Sequence, residues 1–323
     1  MSEPILQVRD LCVEYLTPAG PAQAVHKVSL DLAQGEFLAI VGESGCGKTT
    51  LLFAIAQLLS YPGSIVGGSI LFDGVDLTAL TPEDLRVHRW HDISVVMQSA
   101  MNALNPTLSI GAQLADACRA HTDWDEERIE QRSAEVLSMV SIDVVHLKSY
   151  PFQLSGGMRQ RAMIAMALLL EPKLVIMDEP TSALDVVAQR SLMRQVESLR
   201  HDLGFSVLFV THDMSVVSHF SDRLAVMYAG EVVELDATRE VFDRPQHPYS
   251  QGLMDAFPSL LGEARQLTGI AGTPPALVDP PPGCLFAPRC AFAMDVCRTT
   301  RPELVTKGTR AVRCHLVNPL VAS

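Results

Sequence analysis

Apolar positions in this chain follow two rhythms. Short unbroken runs, EFLAIVG (36–42), ISVVMQ (93–98), KLVIMDE (173–179) and FSVLFVT (205–211), carry β-branched residues and no polar alternation, which predicts strands buried on both faces. Between them the spacing turns helical. KTTLLFAIAQLL (48–59) follows the first run through a Gly-rich turn, and a helix opening at Ser155 is expected to run through Leu170. Strands alternating with helices predict an α/β fold on a parallel sheet covered on both sides. Residues 109 to 140 break the alternation. There DWDEERIEQRSAEVLSMV shows one apolar face at helical spacing, so a helical subdomain (about 100–170) is expected between two strands. TPEDL (81–85) has the Thr-x-x-Asp pattern of a helix start.

Past residue 245 the rhythm is lost. RPQHPYSQGLMDAFPSL (244–260) and GTPPALVDPPPG (272–283) are rich in Pro and support one short helix, at 248–257. The expected division is one large α/β domain over 1–245 and an extension over 246–323, with no internal repeats.

Composition narrows the function. Against 37 acidic residues stand 25 basic ones, a net charge of −12, and no block of Lys or Arg offers a stripe for phosphate backbones. No nucleic acid is therefore expected as a partner. The longest apolar helical stretch, AMIAMALLL (162–170), is about half of what a bilayer span needs. The opening MSEPILQVRD has no basic-then-apolar signal pattern. A soluble, cytosolic chain is expected, with its thiols reduced.

The chemistry starts at GESGCGKTT (42–50), which fits G-x-x-x-x-G-K-[ST] between a strand and a helix. In such a loop, glycines let backbone N–H groups surround phosphate oxygens, and the helix N-terminus adds its dipole. Gly42, Glu43, Ser44, Gly45, Cys46, Gly47, Lys48, Thr49 and Thr50 are the candidate nucleotide-binding residues, with Lys48 reaching the β- and γ-phosphates and Thr49 ligating Mg²⁺. Alkylation of Cys46 is expected to block binding. KLVIMDEP (173–180) then places Asp178 to hold Mg²⁺ and Glu179 to take a proton from water or orient it. QLSGGMRQR (153–161) offers a second anion cradle at Ser155, Gly156 and Gly157. A phosphate already wrapped by one loop has one open side, so this cradle is expected to close on a nucleotide held by another subunit.

Four of the seven cysteines, Cys284, Cys290, Cys297 and Cys314, crowd the end of the chain. Their spacing matches neither common zinc modules nor ferredoxin runs. Zn²⁺, an iron–sulfur cluster, or four reduced thiols packed as small apolar residues all remain open on spacing alone. Arg289, Arg298 and Arg313 neighbour these cysteines and are expected to help hold thiolates. Cys12, Cys46 and Cys118 are scattered, and read as core or loop residues.

Together the motifs make residues 5 to about 250 similar to the ATP-binding subunit of an ABC transporter. HPYSQGLMDAFP (247–258), IAGTPPALVDPPPGCLFAPRC (270–290) and MQSAMNALNPTLSIGAQL (97–114) resemble the oligopeptide and dipeptide importer group. The resemblance implies an α/β P-loop NTPase fold of ABC type, with an inserted helical subdomain, an antiparallel β-subdomain and a Pro/Cys-rich extension. By similarity, Gly42–Thr50 form the Walker A loop, Leu174–Glu179 the Walker B strand and Leu154–Gly157 the signature motif. Gln98 matches the loop glutamine that touches Mg²⁺ and water, SALD (182–185) with Asp185 the D-loop, His212 the switch histidine, and Tyr15 the ring stacked on adenine. ATP and Mg²⁺, the latter on Thr49, Gln98 and Asp178, are implied. So is a [4Fe–4S] cluster on the four cysteines in preference to Zn²⁺. Implied partners are a second ABC ATPase, expected to be a different chain, two transmembrane permease subunits and an extracytoplasmic substrate-binding protein. The implied location is peripheral, on the cytoplasmic face of the membrane. Relatives with this tail carry nickel, oligosaccharides or glutathione as well as peptides. Two competing readings are a soluble ABC ATPase of DNA repair or translation, and a metal or redox sensor that borrows an ATPase; an exporter subunit is a third.

Overall fold

The computed structural model describes residues 4–98, 103–182, 184–256 and 269–317. Its packing separates two units, each assembled from distant stretches of chain. The first holds Met1–Pro4, Leu32–Phe37 and Ala79–Phe209, and the second Ile5–Asp31, Leu38–Thr78 and Val210–Ser323.

The second unit begins with β1 (Leu6–Thr17) and β2 (Gly20–Leu32). Next come β3 (Phe37–Val41), helix α1 (Lys48–Ile55), β4 (Gly63–Phe72) and β5 (Val75–Asp76). One sheet has the order β2-β1-β4-β5, with β1 antiparallel to β4 and β4 to β5. This is the antiparallel β-subdomain that the family resemblance implied.

The first unit continues with α2 (Pro82–His88) and β6 (Ile93–Val96). Helices α3 (Ile110–His121), α4 (Glu126–Met139) and α5 (Gly156–Ala167) precede β7 (Leu174–Asp178). Strands β6 and β7 pair in parallel, Ile93 opposite Leu174 through Val96 opposite Met177, with the helices inserted between them as expected. Helix α6 (Val186–Leu203) and β8 (Ser206–Val210) complete it. All five residues of β7 and of β8 are buried, the burial that an unalternating apolar run requires. Thr81 caps α2 in a full capping box with Asp84.

Back in the second unit, α7 (Met214–Phe220), β9 (Arg223–Tyr228) and β10 (Glu231–Ala237) follow. β9 lies parallel to β3 and antiparallel to β10. α8 (Thr238–Asp243) and α9 (Pro248–Asp255) come next. The extension ends in α10 (Asp295–Thr299) and a hairpin of β11 (Val305–Lys307) and β12 (Arg310–Val312). β12 pairs with the edge of β10, Glu234 opposite Val312 and Leu235 opposite Ala311, so the chain's end lengthens the sheet that carries β3. Side chains fix that join: Thr309 donates to Asp236 at 2.9 Å, and Arg310 lies 2.5 Å from the same carboxylate.

Two helices stop earlier than their apolar pattern suggests. α1 ends at Ile55 because Gln57 turns left-handed at φ 54° and its amide caps the Ala54 carbonyl at 2.9 Å. α5 ends at Ala167 rather than Leu170. Pro172 has no N–H for the Leu168 carbonyl and Glu171 turns left-handed at φ 54°, so the helix cannot continue, and the buried Arg132 of α4 donates to the carbonyls of Leu168 and Leu169 at 3.1 and 2.9 Å. Among the described residues no helix is long and apolar enough to cross a membrane.

Candidate nucleotide-binding and cysteine sites

The phosphate loop lies where β3 meets α1, and its glycines are fixed by close packing. At Gly42 (φ 153°) a Cβ would fall 2.1 Å from the carbonyl oxygen of Met227, and at Gly47 (φ 100°) 2.1 Å from that of Ala24. Only glycine fits either place. The buried Lys48 turns its ammonium back over the loop, donating to the carbonyls of Gly42 and Glu43 at 2.9 and 3.0 Å. No side chain caps α1 at Gly47, so the helix presents its first N–H groups to an incoming anion. Ser44, Gly45 and Thr49 are exposed at the rim. Tyr15 reaches the same helix, its hydroxyl 3.5 Å from that of Thr50.

Cys46 is packed inward, 3% exposed, and burial raises its thiol pKa. Its carbonyl accepts from Gly230 N–H at 2.9 Å, which ties the loop to the β9–β10 turn. A buried, protonated thiol is a poor nucleophile. Alkylation at Cys46 is therefore a weaker probe of this loop than its sequence position suggested.

Glu43 has partners that no motif announced. Arg289 of the extension grips its carboxylate with both ends of the guanidinium, Nη1 to Oε2 at 2.8 Å and Nη2 to Oε1 at 2.9 Å. The backbone N–H of Glu43 donates to the hydroxyl of Tyr249 at 2.9 Å. Both partners lie some two hundred residues downstream in the Pro-rich stretch, where periodicity gives no signal.

His212 follows β8, is exposed, and belongs with Lys48 and Thr49 to the second unit. Gln98, Ser155, Asp178, Glu179 and Asp185 belong to the first. There Asp178 closes β7 at 2% exposure and Glu179 follows in a left-handed backbone, φ 45°. For a non-glycine residue that conformation is costly, and such outliers concentrate at working sites. The Gln98 amide donates to Glu179 Oε2 at 2.8 Å, so the structure joins two candidates that lie 81 positions apart in sequence. Ser155 caps α5, accepting from Met158 N–H at 3.3 Å, and Asp185 caps α6, accepting from Val187 and Ala188. A Cβ at Gly157 would meet nothing within 4 Å, so packing among the described residues does not demand glycine there. Residues 99–102 of the segment after Gln98, Ala183 of the SALD motif and 257–268 of the extension lie outside the described residues.

The four tail cysteines line one small cavity together with Phe286 and Phe292. Among the described residues, however, no three His, Cys, Asp or Glu side chains lie close enough to hold one metal ion. Burial pushes the Cys284 thiol up to about 11, and burial also raises Cys290 and Cys314. The expected help from neighbouring arginines is not delivered at two positions. Arg289 is spent on Glu43, and Arg313 on the carbonyls of Val232, Pro302 and Lys27.

With this geometry in view, known proteins fall into line. The solved structure of the ATP-binding cassette MJ0796 bound to ADP and Pi, a dimer, matches with a TM-score of 0.66 and 28% identity over 72% of this chain and 99% of its own. The fold is thus that of an ABC ATP-binding cassette. The ABC transporter family matches residues 25–182, and the family described as oligopeptide/dipeptide transporter, C-terminal region, matches 233–297. The dipeptide transport ATP-binding protein DppD of Bacillus subtilis is 43% identical over 97% of this chain and 95% of its own length. DppD of Caldanaerobacter subterraneus subsp. tengcongensis is 40% identical over 97% of both. The oligopeptide transport protein AppD of Bacillus subtilis is 42% identical over 97% of this chain and 96% of its own. The chain belongs to the oligopeptide/dipeptide family of ABC transporter ATP-binding proteins.

Proposed function

We propose that this chain is the ATP-hydrolysing subunit that powers peptide import through an ABC transporter. One observation carries the reading: a formed phosphate loop and a peptide-transporter C-terminal region occur in a single chain that matches dipeptide and oligopeptide ATP-binding proteins almost end to end. Lys48, the α1 N-terminus and the loop N–H groups receive the phosphates. Thr49, Gln98 and Asp178 attend Mg²⁺, Glu179 is the general base oriented by Gln98, and His212 senses the γ-phosphate. Tyr15 stacks on adenine. The hydrogen bond between Gln98 and Glu179 supports the base assignment, since a base must be held to act.

Ser155, Gly156, Gly157 and Asp185 act on the nucleotide of a second ATP-binding subunit. The open space at Gly157 supports this, because glycine in a helix is costly and an approaching phosphate is what that space admits. The dimeric cassette bound to ADP and Pi supports the same pairing. ATP favours the closed pair, and hydrolysis releases it. The second ATPase is a different chain. Both dock on two permease subunits at the cytoplasmic face of the membrane, which receive peptide from an extracytoplasmic binding protein.

Cys284, Cys290, Cys297 and Cys314 hold a [4Fe–4S] cluster. Their shared lining of one cavity is the observation that supports a common ligand. Bound there, such a cluster supplies cross-linking and one-electron sensing, and no part in hydrolysis.

The test is co-expression with candidate permease subunits and purification of the assembly. The wild-type assembly should hydrolyse Mg-ATP faster when peptide-loaded binding protein is added. E179Q should lose about 10²- to 10⁴-fold in hydrolysis yet still bind Mg-ATP. Failure to assemble with any permease, or an E179Q enzyme of undiminished rate, overturns the reading.

A further inference from the structure

A carboxylate inside a phosphate loop is electrostatically awkward. Backbone N–H groups, Lys48 and the helix dipole attract the triphosphate, while an ionised Glu43 beside them repels it. The chain answers this from its far end. Arg289 is 5% exposed at its side chain, against 26% for Glu43, and its two parallel bonds to that carboxylate form a fork in a site largely shielded from water.

The guanidinium is held independently of Glu43. It donates to the carbonyls of Ala271 and Ile270 at 2.9 and 3.1 Å and to the Tyr228 hydroxyl at 3.3 Å. Its carrier, the turn Ala287–Arg289, is itself fixed. Ala287 N–H donates to Cys284 O at 3.0 Å, and Cys284 N–H to Cys297 O at 2.8 Å. Tyr249, fully buried beside Phe286 with ring centroids 5.5 Å apart, takes the Glu43 N–H. Glu43 is thus held at side chain and backbone by the extension, and one residue further on the loop is open to solvent.

We propose that Arg289 is a positioning residue for nucleotide binding, which neutralises Glu43 and keeps the phosphate loop fit to receive a triphosphate. The proposal rests on reading residues 42–50 as the nucleotide loop. It gives the extension a direct part in the ATPase unit: the turn that carries Arg289 runs between Cys284 and Cys290, so a displacement at those cysteines reaches the loop through one side chain.

The experiment is calorimetric titration of Mg-ATP into the full-length chain, purified anaerobically, for wild type, R289M, R289K, E43Q and the double variant R289M/E43Q. R289M leaves a carboxylate unpaired beside the phosphates and should weaken binding about tenfold or more, within the usual range of coupling between sites. R289K keeps the charge without the fork and should fall between. R289M/E43Q removes the carboxylate as well and should regain most of the lost affinity. E43Q alone should bind at least as tightly as wild type, because the guanidinium stays placed by its carbonyl partners. Equal affinity of R289M and wild type overturns the proposal. So does a double variant as weak as R289M, the result expected if the substitution merely loosened the tail. Weakened binding by E43Q overturns it even where R289M does not fold. A wild-type chain that binds no Mg-ATP overturns the nucleotide reading itself, and the positioning role with it.

Discussion

At Gly47 a single hydrogen atom decides whether the phosphate loop exists. The residue has φ 100°, and a Cβ there would press to 2.1 Å from the carbonyl oxygen of Ala24 on β2. G47A combines backbone strain with a steric clash, so a loss of about 2 kcal/mol in stability is expected, together with loss of Mg-ATP binding. Thermal melting and titration on one preparation check both, and a G47A chain that melts and binds like wild type contradicts the loop geometry. His26 works at the same scale. Burial, then the charges of Arg301, Lys27 and Arg313, lower its pKa from 6.5 to about 4. The unfolded chain therefore takes up this proton first as pH falls. The contribution of neutral His26 to stability is full above pH 6.5 and is lost on descent towards pH 4. H26Q should accordingly lose less melting temperature than wild type between about pH 7 and pH 5. An identical slope in both proteins assigns the pH dependence elsewhere.

Among elements, the extension is the one whose pattern said least and whose packing is most specific. Its strand β12 pairs with β10, and Leu285 and Phe286 complete a core with Val41 of β3, Val226 and Tyr228 of β9, and Tyr249. Phe286 stands edge-on to Tyr228 at 5.3 Å and to Tyr249 at 5.5 Å. F286A should cost about 3 to 5 kcal/mol, measured as a lower denaturation midpoint at unchanged slope. A cost under about 1 kcal/mol would mean that the extension is not part of the core beneath the phosphate loop. Elsewhere four strands were legible as unbroken apolar runs, while β9, equally buried from Leu224 to Tyr228, was not among those predicted. The strands now seen at 37–41, 93–96, 174–178 and 206–210 sit inside the runs that announced them. Helix ends were less legible. Pro172 is the local signal that stops α5, whereas the donor that Arg132 of another helix supplies to the carbonyls of Leu168 and Leu169 is recorded by no local pattern.

For the molecule as a whole, 25 basic residues stand against 37 acidic ones, a net charge of −12. The chemistry of the cysteine cavity is read from one preparation. Anaerobic protein should carry about four irons and four sulfides per chain if the cluster is present. Stoichiometric zinc would leave a structural cross-link in its place. Protein that contains neither metal, yet hydrolyses ATP with its partners, would return the four thiols to packing residues and leave the ATPase reading intact.

The sequence by itself determined the strand–loop–helix now seen at 37–55, the acidic pair Asp178–Glu179, the helix start at Ser155 and the kinship of the tail. Each of these is a local arrangement of residue types whose backbone requirements extend over only a few positions. Tertiary structure alone decided that Gln98 bonds Glu179, that Arg132 bonds the carbonyls of Leu168 and Leu169, and that Arg289 and Tyr249 hold Glu43. Those pairings join residues separated by 36 to 246 positions. An isolated Arg or Tyr in a Pro-rich stretch carries no periodicity to betray its partner. Only the fold, which packs Leu285 and Phe286 of the extension against Val41 of the strand that feeds the phosphate loop, gives each its role.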